Sequence, residues 1–126
     1  MAKKTYMLQL CLNTSEKGFS DRLIHIVEKH LCNSNFNVNS FSSLMQMSRT
    51  QLHRKLKKNT GLSTTAFIRQ HRIVLAQLIL SSSSLPISKV SLIVGFKDPS
   101  YFSQCFKNIT GIRPSKYREA SKNGQL

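Results

Sequence analysis

Acidic residues are scarce in this sequence. Five Asp and Glu stand against nineteen Lys and Arg in 126 residues, a formal net charge of +14, and none lies between Glu28 and Lys97. The shortage removes most enzyme chemistry. No paired carboxylates are available for general acid–base work, no glycine loop is placed to cradle a phosphate, and no nucleophile has an adjacent base. We therefore expect no catalytic residues and no enzymatic activity.

Cysteine is also rare. Cys11, Cys32 and Cys105 are odd in number, widely spaced and without a CxxC pair, which argues against a disulfide framework or a zinc ribbon and implies a reducing compartment. His25 and His30 lie near Cys32, but metal ligands recur at tighter, repeated spacings, so neither a metal nor a cofactor is expected. Long apolar runs are missing too. The stretch Tyr6–Leu12, which follows Lys3 and Lys4, is too short and too polar for a membrane span or a signal-peptide core. The expectation is a cytoplasmic protein with no membrane partner. Residues 1–18 read as a tail, a short strand or the remnant of an upstream region.

What is present is a basic chain with enough apolar residues to fold, either as one domain or as two small subdomains sharing a helix. Such a positive field raises encounter rates with phosphate backbones and lets cations displace condensed counterions. A polyanion partner is the economical reading. Charge alone does not choose among duplex DNA, RNA and anionic lipid.

From Phe19 onward the apolar spacing is helical, with Leu23, Val27 and Leu31 four apart and Ile24 on the adjoining ridge. Asn33-Ser34-Asn35 interrupts it, and Val38, Phe41 and Met45 then mark a short helix over about 39–46. After a tight turn through Gln46-Met47, Ser48 caps a second short helix that buries Leu52 and Leu56 and ends at Gly61, placed for a left-handed C-cap. A longer run over about 64–80 buries Phe67, Ile68, Ala76, Ile79 and Leu80. Pro86 suits the start of the next helix, with Ile87, Val90 and Val94 on its apolar face and Gly95 at its end. Asp98 can cap the following one, in which Pro99 takes the first position and Phe102, Phe106 and Ile109 face inward. Tyr117 sits in a terminal helix after Pro114. Many capped short helices disfavour a membrane-surface peptide. Val74, Leu75 and Leu78 broaden the long helix beyond the usual stripe: they either meet a partner or are wrapped by subdomains on both sides.

The pattern repeats. Leu52, Leu56, Lys57, Thr60 and Gly61 match Phe102, Phe106, Lys107, Thr110 and Gly111 at an offset of fifty, and Phe67 continues to Tyr117. Upstream of the turn the offset is forty-nine, pairing Phe41 with Val90, Ser42 with Ser91 and Met45 with Val94. One helix-turn-helix design thus occurs twice. The predicted fold is all-α, with about seven helices: a first helix-turn-helix subdomain at 19–62, a linker helix at 63–81, a second subdomain at 82–120 and a tail at 121–126. Two copies make sense on DNA, where successive major-groove faces recur every ~34 Å.

These residues resemble the DNA-binding domain of the AraC/XylS family of transcriptional activators, a bacterial type of regulator, over about 19–120. The first half carries Phe36-x-Val38-x-x-Phe41, Met45-x-Met47-Ser48-Arg49-x-Gln51-Leu52-x-Arg54-Lys55-Leu56-Lys57 and Thr60-Gly61-Leu62-Ser63. The second carries Val94-Gly95-Phe96-x-Asp98-Pro99-Ser100-Tyr101-Phe102-Ser103 and Thr110-Gly111-x-Arg113-Pro114-Ser115-x-Tyr117-Arg118, the more diagnostic run. Three positions depart from the family pattern: Ser42 and Ser91, where alanine is usual, and Gln46, where glycine commonly makes the first turn.

The resemblance implies a homeodomain-like double helix-turn-helix that binds promoter DNA as a monomer or weak dimer, each second helix in a major groove and RNA polymerase recruited nearby. By position, Thr50, His53 and Arg54 are base-facing in the first recognition helix, and Ser100, Ser103 and Gln104 in the second. Arg54 can offer two donors to guanine, and Gln104 can pair bidentately with adenine. Arg49, Lys55, Lys57, Lys58, Lys97 and Lys107 read as backbone contacts. AraC-like domains often follow a sensory or receiver region, so an upstream domain is a further expectation. The competing reading is a basic helical protein that binds RNA or DNA without sequence preference.

Overall fold

The computed structural model describes residues 17–124. Its described elements are seven helices and no strand: α1 Lys17–His30, α2 Val38–Leu44, α3 Arg49–Thr60, α4 Thr64–Ser82, α5 Ile87–Ile93, α6 Pro99–Thr110 and α7 Pro114–Lys122. Cys11 and the Tyr6–Leu12 stretch lie outside the described residues. Boundaries shift from expectation: α1 takes in Lys17 and Gly18, α2 spans Val38–Leu44 rather than about 39–46, and α7 runs past residue 120 to Lys122.

Local polar chemistry sets the helix ends. Ser48 and Gln51 form a reciprocal capping box at α3, Asn37 and Ser40 form another at α2, and Ser63 caps α4 by accepting from the Ala66 amide. Asp98 accepts from the Ser100 amide at the start of α6, with Pro99 at its first turn. The C-terminal ends of α3 and α6 are built alike. Gly61 (φ 79°) and Gly111 (φ 91°) adopt the left-handed conformation, and their amides donate to the Lys57 and Lys107 carbonyls. One residue back, Thr60 and Thr110 donate to the Leu56 and Phe106 carbonyls and accept from the Leu62 and Ile112 amides. The repeated Thr-Gly pair is therefore a helix stop made twice from the same bonds. α4 outlasts its predicted end because the Ser81, Ser82 and Ser83 hydroxyls donate to the Leu78 and Ile79 carbonyls and carry the last turn to Ser82.

Two cores flank α4. The first gathers Leu23 and Val27 of α1 and Leu31 just beyond it with Phe41, Met45, Leu52 and Leu56, closed by Phe67 and Ile68 from the front of α4. The second gathers Val90, Val94, Phe96, Phe102, Cys105 and Phe106 around Ile73, Ala76 and Leu80 from its rear. Val74 packs on the first core and Leu75 on both, as a helix wrapped by the two subdomains requires, while Leu78 is half-buried. Ile109 does not face inward as expected but is 40% exposed. The buried stripe of α6 is Phe102, Cys105 and Phe106, and it closes one turn before Ile109.

Arg72 joins the halves. Its Nε donates to the Leu31 carbonyl (3.0 Å) and its terminal nitrogen to the carbonyls of Asn33 (3.0 Å) and Phe36 (3.2 Å), satisfying the open end of α1 and the loop beyond it. Against this cluster rests the second turn: a β-carbon on Gly95 (φ 102°) would stand 2.8 Å from both Arg72 Nε and the Leu31 oxygen. Arg118 plays the matching part in the second half, donating to the Leu80 carbonyl near the end of α4.

The first turn repeats the second with a different residue. The Met47 amide donates to the Ser42 carbonyl and the Phe96 amide to the Ser91 carbonyl, at 3.0 and 2.9 Å. Gln46 stands where the other copy has Gly95 and is held at φ 57°, the one positive-φ non-glycine among the described residues. Arg22 steadies this turn by donating to the Met45 carbonyl. The serines that replace alanine are buried yet satisfied, Ser42 donating to the Asn39 carbonyl (3.0 Å) and Ser91 to that of Ser88 (2.8 Å).

His71 is fully buried on α4. Its Nδ1–H donates to the Phe67 carbonyl (2.8 Å), while Nε2 has no partner. Burial lowers its pKa from the ordinary 6.5, against the raising effect of the Phe67 bond.

Two outcomes are expected. Replacing exposed Gln46 by glycine (Gln46→Gly) removes the left-handed penalty of about 1–2 kcal/mol and adds back some unfolded-state entropy. Urea denaturation should show a net gain; a loss contradicts the turn assignment. For His71 the unfolded chain takes its proton first. The stability from this site is full above pH 6.5 and is lost as the pH falls from there toward the lowered folded-state value. Thermal melts across pH 5–8 should therefore decline less on acidification for His71→Leu than for wild type, and parallel curves would contradict it.

Candidate nucleic-acid interface

The reading face is built from α3 and α6, each held on its core by an inner stripe that leaves the opposite side open. On α3, Leu52 and Leu56 are fully buried, whereas Arg49, Thr50, His53, Arg54, Lys57 and Lys58 are exposed. On α6, burial of Phe102, Cys105 and Phe106 leaves Ser100, Gln104 and Lys107 exposed and Ser103 half-buried. All six base-facing candidates thus lie on outer or flanking faces.

Each helix borders an open groove. Arg49, Thr50 and His53 line the first with Val38 and with Ser63, Thr64 and Thr65 at the start of α4. Ser103, Gln104 and Lys107 line the second with Ile87 and with Arg113, Pro114 and Ser115 at the start of α7. Val38 and Ile87 are equivalent at offset forty-nine, and Ser63–Thr65 and Arg113–Ser115 at offset fifty. The duplication therefore extends to the concave surface beside each recognition helix. Sequence reading gave no site role to Thr65 or Arg113, although Arg113 stands in the Thr110–Arg118 run that carries the resemblance.

The charge is overwhelmingly positive. No acid lies between Glu28 and Lys97, and the Asp98 carboxylate is taken up by the Ser100 amide at 3.0 Å. One expected backbone cation is drawn inward: half-buried Lys55 places its ammonium 5.3 Å from the Phe19 ring centroid on α1. Lys97 is exposed in the turn before α6. No group of three or more His, Cys, Asp or Glu able to hold a metal is found among the described residues, where Cys32 and Cys105 are free. No described helix is long and apolar enough to cross a membrane.

Comparison with known proteins agrees with this geometry. A family described as "Helix-turn-helix domain" matches residues 41–120. The chain is 32% identical over 117 residues to a protein named Histidine kinase P4 of Formosa agariphila, covering 93% of this chain but 8% of that protein. It is 36% identical over 92 residues to the arabinose operon regulatory protein of Escherichia coli K12, covering 73% of this chain and 32% of the relative. The chain thus spans well under half the length of these curated relatives. Among solved structures, the C-terminal domain of AraT, a response regulator from Geobacillus stearothermophilus, superposes with a TM-score of 0.74 at 29% identity, covering 79% of this chain and 83% of that one.

Two substitutions separate the roles of the exposed side chains. Arg54→Ala should cost about 1–3 kcal/mol of binding at one base position of a selected duplex, as loss of a bidentate guanine contact does. Lys57→Ala should weaken all duplexes alike and lower the salt slope by about one unit. Fluorescence anisotropy on single-base variants at several salt concentrations reads both. Uniform loss for Arg54→Ala would reassign it to the backbone. Two equivalent helix pairs, two equivalent grooves and the matched family agree: the chain belongs to the helix-turn-helix domain family of AraC type, a family of DNA-binding transcription regulators.

Proposed function

We propose that this chain is the DNA-reading output domain of a cytoplasmic transcription regulator, with α3 and α6 in successive major grooves on one side of a duplex. The observation that carries this reading is the duplication itself. Two recognition helices, each with a side-chain cap, with the same left-handed glycine stop and with equivalent neighbouring grooves, are carried by a helix common to both cores.

Thr50, His53 and Arg54 read one half-site, and Ser100, Ser103 and Gln104 the other. Arg49, Lys57, Lys58, Lys97, Lys107 and Arg113 hold phosphates, with Lys55 shared between the backbone and Phe19. Phosphate contacts position the domain and supply most of its affinity, while base edges supply choice. An upstream sensory or receiver region and RNA polymerase are the expected partners of the whole regulator. The domain binds as a monomer or weak dimer and performs no catalysis.

Selection from random duplexes followed by sequencing tests the reading. It should return a bipartite motif whose halves lie about one helical turn apart, ~10–10.5 base pairs centre to centre. An unstructured pool, or equal affinity for RNA, would favour non-specific nucleic-acid binding.

A further inference from the structure

Between the two reading surfaces lies an open cleft of about 670 Å³. Ile68, Arg69 and Arg72 of α4 line it together with the 34–38 loop of the first half and the turn before α6 in the second. Val38 and Thr65 border both this cleft and the groove beside α3. At the other side it reaches Lys97 and Asp98, immediately before the second recognition helix. The cleft thus adjoins the groove beside α3 at one side and the start of α6 at the other.

The charges of the cleft are unevenly committed. Arg72 is bound to three carbonyls, and the Asp98 carboxylate accepts from the Ser100 amide. Arg69 and Lys97 remain: one half-buried on α4, one exposed in the turn of the second half, neither side chain with a hydrogen bond or ion pair among the described residues. An open surface that keeps two such cations between two cationic grooves is suited to a strand of phosphates.

We propose that this cleft seats the sugar-phosphate backbone of the spacer between the two half-sites, Arg69 and Lys97 each neutralising a phosphate. The proposal rests on the two-groove reading above and adds a third contact region to it. Backbone contacts carry no base information. The spacer therefore contributes affinity through its charge, and its base sequence is free at this point. Lys97 was expected to meet the backbone, but Arg69 stands outside both recognition helices and the sequence argument gave it no DNA contact.

The test uses the full chain and a selected bipartite duplex, made with native spacer phosphates or with uncharged methylphosphonates in the spacer. Wild type should bind the neutral spacer more weakly, with a salt slope smaller by about two units at ~0.9 per phosphate. Arg69→Ala/Lys97→Ala should show the same reduced slope on the native duplex and no further loss on the neutral one. A double variant that responds to spacer neutralisation as strongly as wild type overturns the proposal, as does a wild type indifferent to it. Should the alanine pair unfold, Arg69→Gln/Lys97→Gln makes the same comparison. A duplex with scrambled half-sites separates the two levels: no preference against it defeats two-groove reading and the cleft with it, whereas intact preference without a spacer effect defeats the cleft alone.

Discussion

Everything in this fold depends on one helix belonging to two cores. α4 gives Phe67 and Ile68 to the first and Ile73, Ala76 and Leu80 to the second, with Leu75 touching both. A helix of 19 residues rises ~1.5 Å per residue and cannot bend sharply without a proline, glycine pair or bulge. Burial on both sides therefore fixes the direction of each subdomain from a single axis. Arg72 and Gly95 add a polar tie near the middle of α4, where the open end of α1, the long helix and the second turn meet. The reading surfaces inherit their relation from this arrangement.

The duplication shows which features the design requires and which it tolerates. The glycine and threonine bonds of one helix stop recur in the other, and the buried serines of both first helices donate to carbonyls three residues back. The two turns differ in residue but agree in backbone path. Gly95 is obligatory because a side chain would strike Arg72 and a backbone carbonyl, whereas Gln46 occupies an exposed site and bears only the local cost of a left-handed residue. Packing, more than turn geometry, decides where glycine is irreplaceable.

Much of this was legible in the sequence because the signals were local. Periodicity placed the helices, and Ser48, Asp98, Gly61 and Gly111 marked ends where the structure puts them. The repeat offset exposed the two helix pairs. Less legible were features that depend on tertiary partners. Nothing in the spacing of α6 says that its core contact closes before Ile109, and nothing around Lys55 says that Phe19 lies beneath it. Arg72 reads as one more surface cation until α1 and the 33–36 loop are brought to it. The candidate base-facing residues were found by resemblance, and the structure adds their exposure and the grooves beside them.

The central claim is that the two halves form one rigid body through α4. Residual dipolar couplings from backbone amides of the chain in weakly aligned solution measure this directly. A single alignment tensor should fit residues of α1–α3 and of α5–α7 together, with α4 common to both sets. Two tensors of different magnitude or orientation would mean that the halves reorient independently, and that the shared helix does not set the register of the reading surfaces.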